Sequence, residues 1–85
     1  MNPPAAAVLS ITRAEWDSEK ESLRLEGRCS DYAATLRADF SGRMEAVTND
    51  MGRFRNVFNN VATDPMTITV TASNGVTATS AVDVK

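Results

Sequence analysis

The sequence predicts an all-β domain, which we expect to fold as a two-sheet β-sandwich of about seven strands. Three observations favour this fold class. The C-terminal third alternates apolar residues with threonines around Asn74-Gly75, a dipeptide typical of tight β-hairpins. The N-terminal third holds a second pair of alternating segments, and in the middle third Gly42 and Gly52 lie where strands would turn. The alternative is an α+β fold with two central helices between two hairpins.

The first hairpin is predicted from residues 8–16 and 21–29, which flank the polar residues 17–20. In the second segment apolar or small residues alternate with charged ones, as in a strand buried on one face. In the first segment the alternation slips between Ile11 and Ala14, which predicts a β-bulge or a change of sheet there. The side chains predicted to face the core are Leu9, Ile11, Ala14, Trp16, Leu23, Leu25, Gly27 and Cys29.

The middle third, residues 30–61, is ambiguous from periodicity alone. As strands it would turn at Gly42 and Gly52, whereas as helices it has an amphipathic stripe at spacings of three and four. Each glycine would then lie inside a helix at a cost of about 1 kcal/mol relative to alanine, so local evidence favours strands. The strands would be 34–40, 44–48 and 53–58, and the stripe consists of Tyr32, Leu36, Phe40, Met44, Val47, Met51, Phe54 and Phe58.

The last hairpin is the clearest segment of the sequence. Strands are predicted over residues 66–72 and 76–84, joined by a turn at residues 73–75. Threonines at alternate positions would form a ladder on the solvent face, where cross-strand pairs give modest stabilisation. The side chains predicted to share the other face are Met66, Ile68, Val70, Ala72, Val76, Ala78, Val82 and Val84.

Composition and charge argue against several classes of function. Eleven acids and nine scattered bases give a net charge of −2, so we expect neither nucleic-acid binding nor membrane insertion. Histidine is absent, which removes the commonest general base and imidazole metal ligands. The acids lack the spacing of a calcium loop, and no phosphate-binding glycine motif occurs. We therefore expect no enzyme activity, no catalytic or metal-binding residues and no cofactor.

The single cysteine and the N-terminal residues bear on the compartment. Cys29 excludes an intrachain disulfide and is expected to be a small core residue. Residues 1–7 are interpreted as a linker or N-terminal arm, not a signal peptide, and residues 8–85 as one domain. Two interpretations stay open. The chain is either a domain of a longer extracellular or cell-surface protein, or a complete cytoplasmic or virion protein.

Four segments follow one another in an order and spacing that cover nearly the whole chain. They are residues 11–16, 23–27, 49–54 and 68–75, the last followed by a threonine- and alanine-rich segment. In this order they resemble the bacterial immunoglobulin-like (Ig-like) domains of modular surface, secreted and virion proteins. The resemblance implies a Greek-key sandwich, strands in the middle third, and a role as spacer, adhesin, carbohydrate-binding or assembly module. The chain departs from the family pattern at residues 29–33, which replace a glycine- or proline-rich connection.

Six side chains are candidates for a binding site. Four arginines on neighbouring middle strands and turns could line one basic face or edge that meets an acidic partner or polysaccharide. The only tryptophan and the only tyrosine could stack on a sugar ring. The simpler interpretation is a solvated exterior and aromatic residues in the core. The candidates are Trp16, Tyr32, Arg37, Arg43, Arg53 and Arg55.

These observations lead us to expect a non-catalytic structural or interaction module. It would be a spacer or binding domain of a larger bacterial surface protein, or an accessory protein of an assembly such as a phage particle. Its partner would be another protein, a neighbouring domain of the same chain, or a polysaccharide. The alternative is a carbohydrate-binding module, which requires Trp16 or Tyr32 to be exposed and flanked by Asn, Asp or Arg.

Overall fold

The computed structural model describes residues 8–85, which form nine β-strands and no helix. The all-β prediction is confirmed, and the alternative with central helices is wrong. Of the two strands of two residues each, one lies where a turn was predicted and the other within the last predicted strand. The linker or arm predicted at residues 1–7 lies outside the described residues. The strands are β1 (Leu9–Asp17), β2 (Ser22–Cys29), β3 (Leu36–Phe40), β4 (Arg43–Val47), β5 (Asn49–Asp50), β6 (Arg53–Phe58), β7 (Thr67–Ala72), β8 (Thr77–Ala81) and β9 (Asp83–Val84).

The strands form two sheets that pack as a β-sandwich. The five-stranded sheet has the order β5-β6-β2-β1-β9, and the four-stranded sheet the order β4-β3-β7-β8. The chain crosses between the sheets after β2, β4, β6 and β8. Because β6 returns to pair with β2, and β7 with β3, neighbours in space are distant in sequence. This is a Greek-key connectivity, as the resemblance to Ig-like domains implies.

The first hairpin forms as predicted, with β2 paired between β1 and β6. The register of β1 against β2 shifts between Ile11 and Arg13, which confirms the β-bulge. Because the bulge takes up one extra residue, both Leu9 and Ala14 are buried on the same side of β1. Ile11 and Trp16 pack against the core and are partly buried.

The middle third turns at the two predicted glycines. Ser41-Gly42 joins β3 to β4 with φ of 51° and 73°, and Met51-Gly52 joins β5 to β6 with φ of 50° and 90°. Two successive left-handed residues make a type I′ turn, whose twist matches that of the flanking strands. Glycine at the second position adopts this φ without steric cost.

The helical stripe noted in the sequence is a coincidence of spacing. Its buried members lie on different strands, β3, β4 and β6, and each faces the core from its own strand. The other three members, Tyr32, Met44 and Met51, are exposed. A single helix face would have buried all of them together.

The last predicted strand is divided between the two sheets. After β8, the buried Val82 donates its N–H to the carbonyl oxygen of Met66 at 2.9 Å. The chain then crosses to the five-stranded sheet, where β9 runs parallel to the end of β1. Two predicted core-facing positions are therefore wrong. Met66 precedes β7 in a left-handed conformation and is 71% exposed, and Val84 lies on the edge strand β9 and is 59% exposed.

The core lies between the sheets and includes Cys29, which is buried as predicted. The rings of Phe40 and Phe58 pack from opposite sheets with centroids 5.1 Å apart. Gly27 lies opposite Phe54, whose ring occupies the space that a side chain at position 27 would need. The buried apolar residues are Leu9, Ala14, Leu23, Leu25, Cys29, Ala34, Leu36, Ala38, Phe40, Val47, Phe54, Phe58, Val61, Ile68, Val70, Ala72 and Val82.

Candidate binding surface at the loop end

Four segments of the chain meet at one end of the sandwich, which we call the loop end. They are Val8 before β1, the β2–β3 connection, the β5–β6 turn and the β7–β8 turn. The amide of Ser30 donates to the carbonyl oxygen of Val8 at 2.8 Å, and that of Cys29 to the carbonyl oxygen of Gly52 at 2.7 Å. The β1–β2 and β3–β4 turns, the β6–β7 connection and Lys85 lie at the opposite end.

Asn49, the first residue of β5, holds two of these segments together. Its side-chain amide donates to the carbonyl oxygens of Asp31 at 3.0 Å and Ala34 at 3.2 Å, both in the β2–β3 connection. Its Oδ1 accepts the N–H of Gly52 at 3.1 Å, in the β5–β6 turn. Because one side chain satisfies backbone groups of both segments, it fixes their relative position.

Asp31 connects the β2–β3 connection to the β7–β8 turn. Its carboxylate accepts the N–H of Ala33 at 3.0 Å and the side-chain amide of Asn74 at 3.1 Å. Beside it, the N–H of Ser73 donates to the carbonyl oxygen of Thr35 at 2.8 Å, and the N–H of Thr35 donates to Ser73 Oγ at 3.0 Å. The loop end is therefore a hydrogen-bonded frame that holds the backbone beneath its exposed side chains in a defined position.

Three large apolar side chains are exposed on this frame. Val8 is 62% exposed, Tyr32 65% and Met51 74%. They line an open groove of about 420 Å³ together with Arg28 and Arg53. We call these five side chains the loop-end surface. Tyrosine, methionine and arginine are all enriched where proteins bind one another.

Arg28 of β2 and Arg53 of β6 lie directly opposite each other in the sheet. Both are exposed, and within residues 8–85 neither forms an ion pair. Like charges at directly opposite positions repel. By contrast, Glu26 on the same strand forms ion pairs with Arg13 and Arg55, each at 3.8 Å. The positive charges of Arg28 and Arg53 are therefore available to interact with solvent or with a ligand.

Of the two predicted sugar-stacking residues, only Tyr32 is exposed at the loop end. Trp16 is half-buried near the opposite end, where its indole N–H donates to the carbonyl oxygen of Val61 at 2.9 Å. That bond ties β1 to the β6–β7 connection. The structure therefore places the two rings far apart and gives Trp16 a packing role.

The four predicted arginines do not share one basic face, which corrects that prediction. Arg37 projects from the outer face of the four-stranded sheet, whereas Arg53 and Arg55 project from the outer face of the five-stranded sheet. The reason is the crossing of the chain after β4, which puts strands adjacent in sequence on opposite sides of the core. Of these four arginines, only Arg53 lines the loop-end groove.

Arg43 is occupied by contacts within the domain. Its guanidinium donates to the carbonyl oxygens of Asn59 at 3.3 Å and Asn60 at 3.0 Å, and to the carboxylate of Glu45 at 3.4 Å. Its Cζ also lies 5.3 Å from the ring centroid of Phe40. Arg43 therefore ties the edge strand β4 to the β6–β7 connection.

Asp17 is the carboxylate with a displaced pKa, and it lies at the end opposite the candidate surface. The amide N–H of Lys20 donates to its Oδ1 at 3.2 Å and is the main reason that its pKa is lowered. Partial burial acts in the opposite direction, while the N–H of Glu19 and the ammonium of Lys85 lower the pKa further. This carboxylate stabilises the β1–β2 turn.

Among residues 8–85, no group of three histidine, cysteine, aspartate or glutamate side chains converges as metal ligands. The same part of the chain contains no helix with the length and apolar character needed to cross a membrane.

Sequence analysis missed four residues of the loop end: Val8, Arg28, Asn49 and Met51. Residues 49–52 were identified as a turn, yet the roles of Asn49 and Met51 in it were not. One signal was available, because methionine occupies a turn position where asparagine is the usual residue.

Comparison of the chain with models of known protein families and with curated proteins gives no match.

Proposed function

We propose that this protein is a non-catalytic interaction module of the Ig-like type. It would serve as a binding or spacer domain of a larger bacterial surface protein, or as a small accessory protein of an assembly such as a phage particle. The observation that carries the proposal is the loop-end surface, where apolar side chains are exposed beside unpaired arginines. Loops held by a rigid sandwich are a common location for binding residues.

The direction of the chain supports a spacer role within the same proposal. Val8 lies at the loop end and Lys85 at the opposite end of a molecule that measures 52 × 20 × 20 Å. A domain entered at one end and left at the other separates its neighbours by about the length of the nine-residue β1, roughly 30 Å. A partner bound at the loop end would then sit beside the preceding part of a longer chain.

Selection from a random peptide display library tests the proposed binding role. The library is selected on the wild-type protein and counter-selected on the double variant Tyr32→Ser/Met51→Asn, which keeps the turn but removes two apolar side chains. We expect peptides whose Kd, about 1–100 µM, rises at least about tenfold for the variant. Recovery of only peptides that bind both proteins equally would contradict a binding role for this surface.

A carbohydrate-binding module is the second candidate, and one observation favours it. Tyr32 is exposed and lines a groove with Arg28 and Arg53, which satisfies the condition set for a sugar-stacking ring. A glycan array probed with the wild-type protein and with Tyr32→Ala tests this function. Binding that requires the ring would support it, and an array without ring-dependent signals would remove it.

A further inference from the structure

We infer that the loop-end surface binds an extended acidic protein segment, in which an apolar or aromatic side chain is flanked by carboxylates. The inference rests on the proposed function and adds the chemistry of the partner. Three observations carry it: the conformation of Met51, the apolar lining of the groove, and the unpaired Arg28–Arg53 pair.

Met51 occupies a backbone conformation that its side chain does not favour. It is the first residue of the β5–β6 turn with φ of 50°, and Gly52 follows with φ of 90°. Asparagine, aspartate and glycine are the usual residues at this position of a type I′ turn. The methionine side chain is 74% exposed, so packing within the domain does not compensate for its conformation. Met66 shares both features at the opposite end, so at Met51 they indicate a contact outside the domain only together with the groove that Met51 lines.

Tyr32 and Val8 complete the apolar part of the groove. Tyr32 packs so closely on the β5–β6 turn that a Cβ atom at Gly52 would lie 2.5 Å from its Cε1. Val8 is held by its own N–H, which donates to Ser30 Oγ at 2.7 Å. A flexible methionine that lines a groove with two positioned apolar groups adapts to the shape of an inserted side chain.

Arg28 and Arg53 determine the charge of the partner. The acids nearest to them do not neutralise them. Glu26 and Asp50 line a neighbouring cavity with both arginines, but Glu26 is paired with Arg13 and Arg55, and Asp50, opposite Arg53 in β5, forms no ion pair with it. Two guanidinium groups at opposite positions of one sheet suit carboxylates a few residues apart on an extended segment. Binding would also relieve the repulsion between the two arginines.

The mixture of groups favours a protein segment over an acidic polysaccharide. A polysaccharide contacts aromatic rings and arginines but offers no apolar side chain for methionine and valine to enclose. An extended protein segment supplies both an apolar side chain and carboxylates within one groove. Protein interfaces combine a small apolar centre with a polar rim in the same way.

Isothermal titration calorimetry with three probe peptides tests the inference. The probes are acetylated and amidated, and carry a central Asp-Glu-Phe-Asp-Glu, Asn-Gln-Phe-Asn-Gln or Lys-Lys-Phe-Lys-Lys sequence. We expect the acidic probe to bind at least about tenfold more tightly than the amide probe, and the basic probe to bind more weakly still. Raising the salt concentration should weaken only the acidic probe.

Substitutions test the arginines and the apolar side chains of the loop-end surface separately. Arg28→Glu and Arg53→Glu should each weaken the acidic probe about tenfold or more and strengthen the basic probe. Arg37→Glu, an exposed arginine on the outer face of the other sheet, is the matched control and should change neither. Met51→Asn should weaken both the acidic and the amide probe, while raising Tm by about 2–5 °C because the turn is relieved of strain.

The outcomes separate this inference from the function on which it rests. Equal binding of acidic and amide probes, lost in Met51→Asn but unchanged in the arginine variants, would overturn the acidic partner and leave the interaction module standing. Equal binding of a hexameric uronate oligosaccharide, insensitive to Met51→Asn, would overturn the protein segment in favour of an acidic polysaccharide. Self-association lost in Met51→Asn would assign the groove to a second copy. If none of the probe peptides binds, the inference is overturned. If the display selection also yields no peptide that depends on Tyr32 and Met51, the binding role of the surface is overturned as well.

Discussion

Gly27 is a residue at which the packing of the five-stranded sheet is sensitive to added volume. A Cβ atom there would collide with the ring of Phe54 and with the carbonyl oxygen of Ser10, which belong to the strands on either side of β2. One of these groups is backbone, so relief requires the sheet itself to move. A side chain at position 27 therefore requires the sheet to shift, although the backbone conformation of Gly27 is one that any residue adopts.

We predict that Gly27→Ala lowers the free energy of unfolding by about 1–3 kcal/mol, as overpacking of a close-packed core does. Urea denaturation measures the change. Adding Phe54→Leu should restore part of the loss, because it removes the ring but not the backbone contact. A Gly27→Ala variant as stable as the wild type would show that the sheet accommodates the methyl group.

A second residue-scale prediction concerns pH. The pKa of Asp17 is lowered below its usual value of 3.8, chiefly by the N–H of Lys20. The folded state favours the charged form of Asp17. The carboxylate therefore stabilises the fold above the unfolded pKa, and this stabilisation is lost as pH falls through the folded pKa. Asp17→Asn should therefore lower Tm at about pH 7 and have little effect at about pH 2. A difference in Tm that does not change with pH would mean that the carboxylate charge contributes nothing to the turn.

At the scale of elements, the edge strand β4 depends on Arg43. The guanidinium bridges three oxygen acceptors and lies over the ring of Phe40, so removing it frees β4 from the β6–β7 connection. We predict that Arg43→Ala costs about 1–3 kcal/mol in urea denaturation, and Arg43→Lys an intermediate amount, because lysine lacks the planar fork. Arg37→Ala on the neighbouring strand should stay within about 0.5 kcal/mol of the wild type. Equal losses at both positions would argue against this bridging role.

The strands themselves could be predicted because alternation and turn residues are local signals. β1, β2 and β7 follow from a period of two, whereas the middle strands and the positions of their two turns follow from the glycines between apolar segments. The crossing at Val82 could not be predicted, because alternation continues through residues 76–84 whichever sheet each part joins. Val84 was assigned to the core for that reason, whereas Met66 was assigned to it because the alternation of β7 continues back to residue 66, where the backbone is left-handed.

Less of the candidate site than of the fold could be predicted from the sequence. Tyr32 and Arg53 were identified by residue type alone, and they lie together at the loop end. Arg37 and Arg55 were grouped with Arg53 because they are close in sequence, whereas position in space depends on which sheet each strand joins. Asn49 acts through hydrogen bonds to backbone groups of another loop, and no local pattern reports such contacts.

At the scale of the whole molecule, the two ends of the sandwich differ in chemistry. The loop end presents apolar side chains with arginines, while the opposite end carries the turn that includes Asp17, Glu19 and Glu21. The first and last described residues lie one at each end. Any neighbour joined to the chain therefore meets a different surface depending on whether it precedes or follows the domain.

The parallel pairing of β9 with β1 has a mechanical consequence. Glu15 lies opposite Asp83, and the N–H of Lys85 donates to the carbonyl oxygen of Trp16 at 2.9 Å. Tension applied through Val8 and Lys85 pulls the two strands in opposite directions along their axes, so their hydrogen bonds are loaded together in shear. Tension applied between Val8 and Ser30, which are adjacent, would instead separate β1 from β2 one hydrogen bond at a time.

Single-molecule force spectroscopy compares the two directions of pulling. We expect a higher unfolding force for attachment at the two ends of the chain than for attachment at positions 8 and 30, since forced unfolding is governed by the barrier along the pulled coordinate. Equal forces would mean that the β1–β9 pair bears no load. If the forces differ as expected, the domain resists stretching along its length and opens readily when pulled at the loop end.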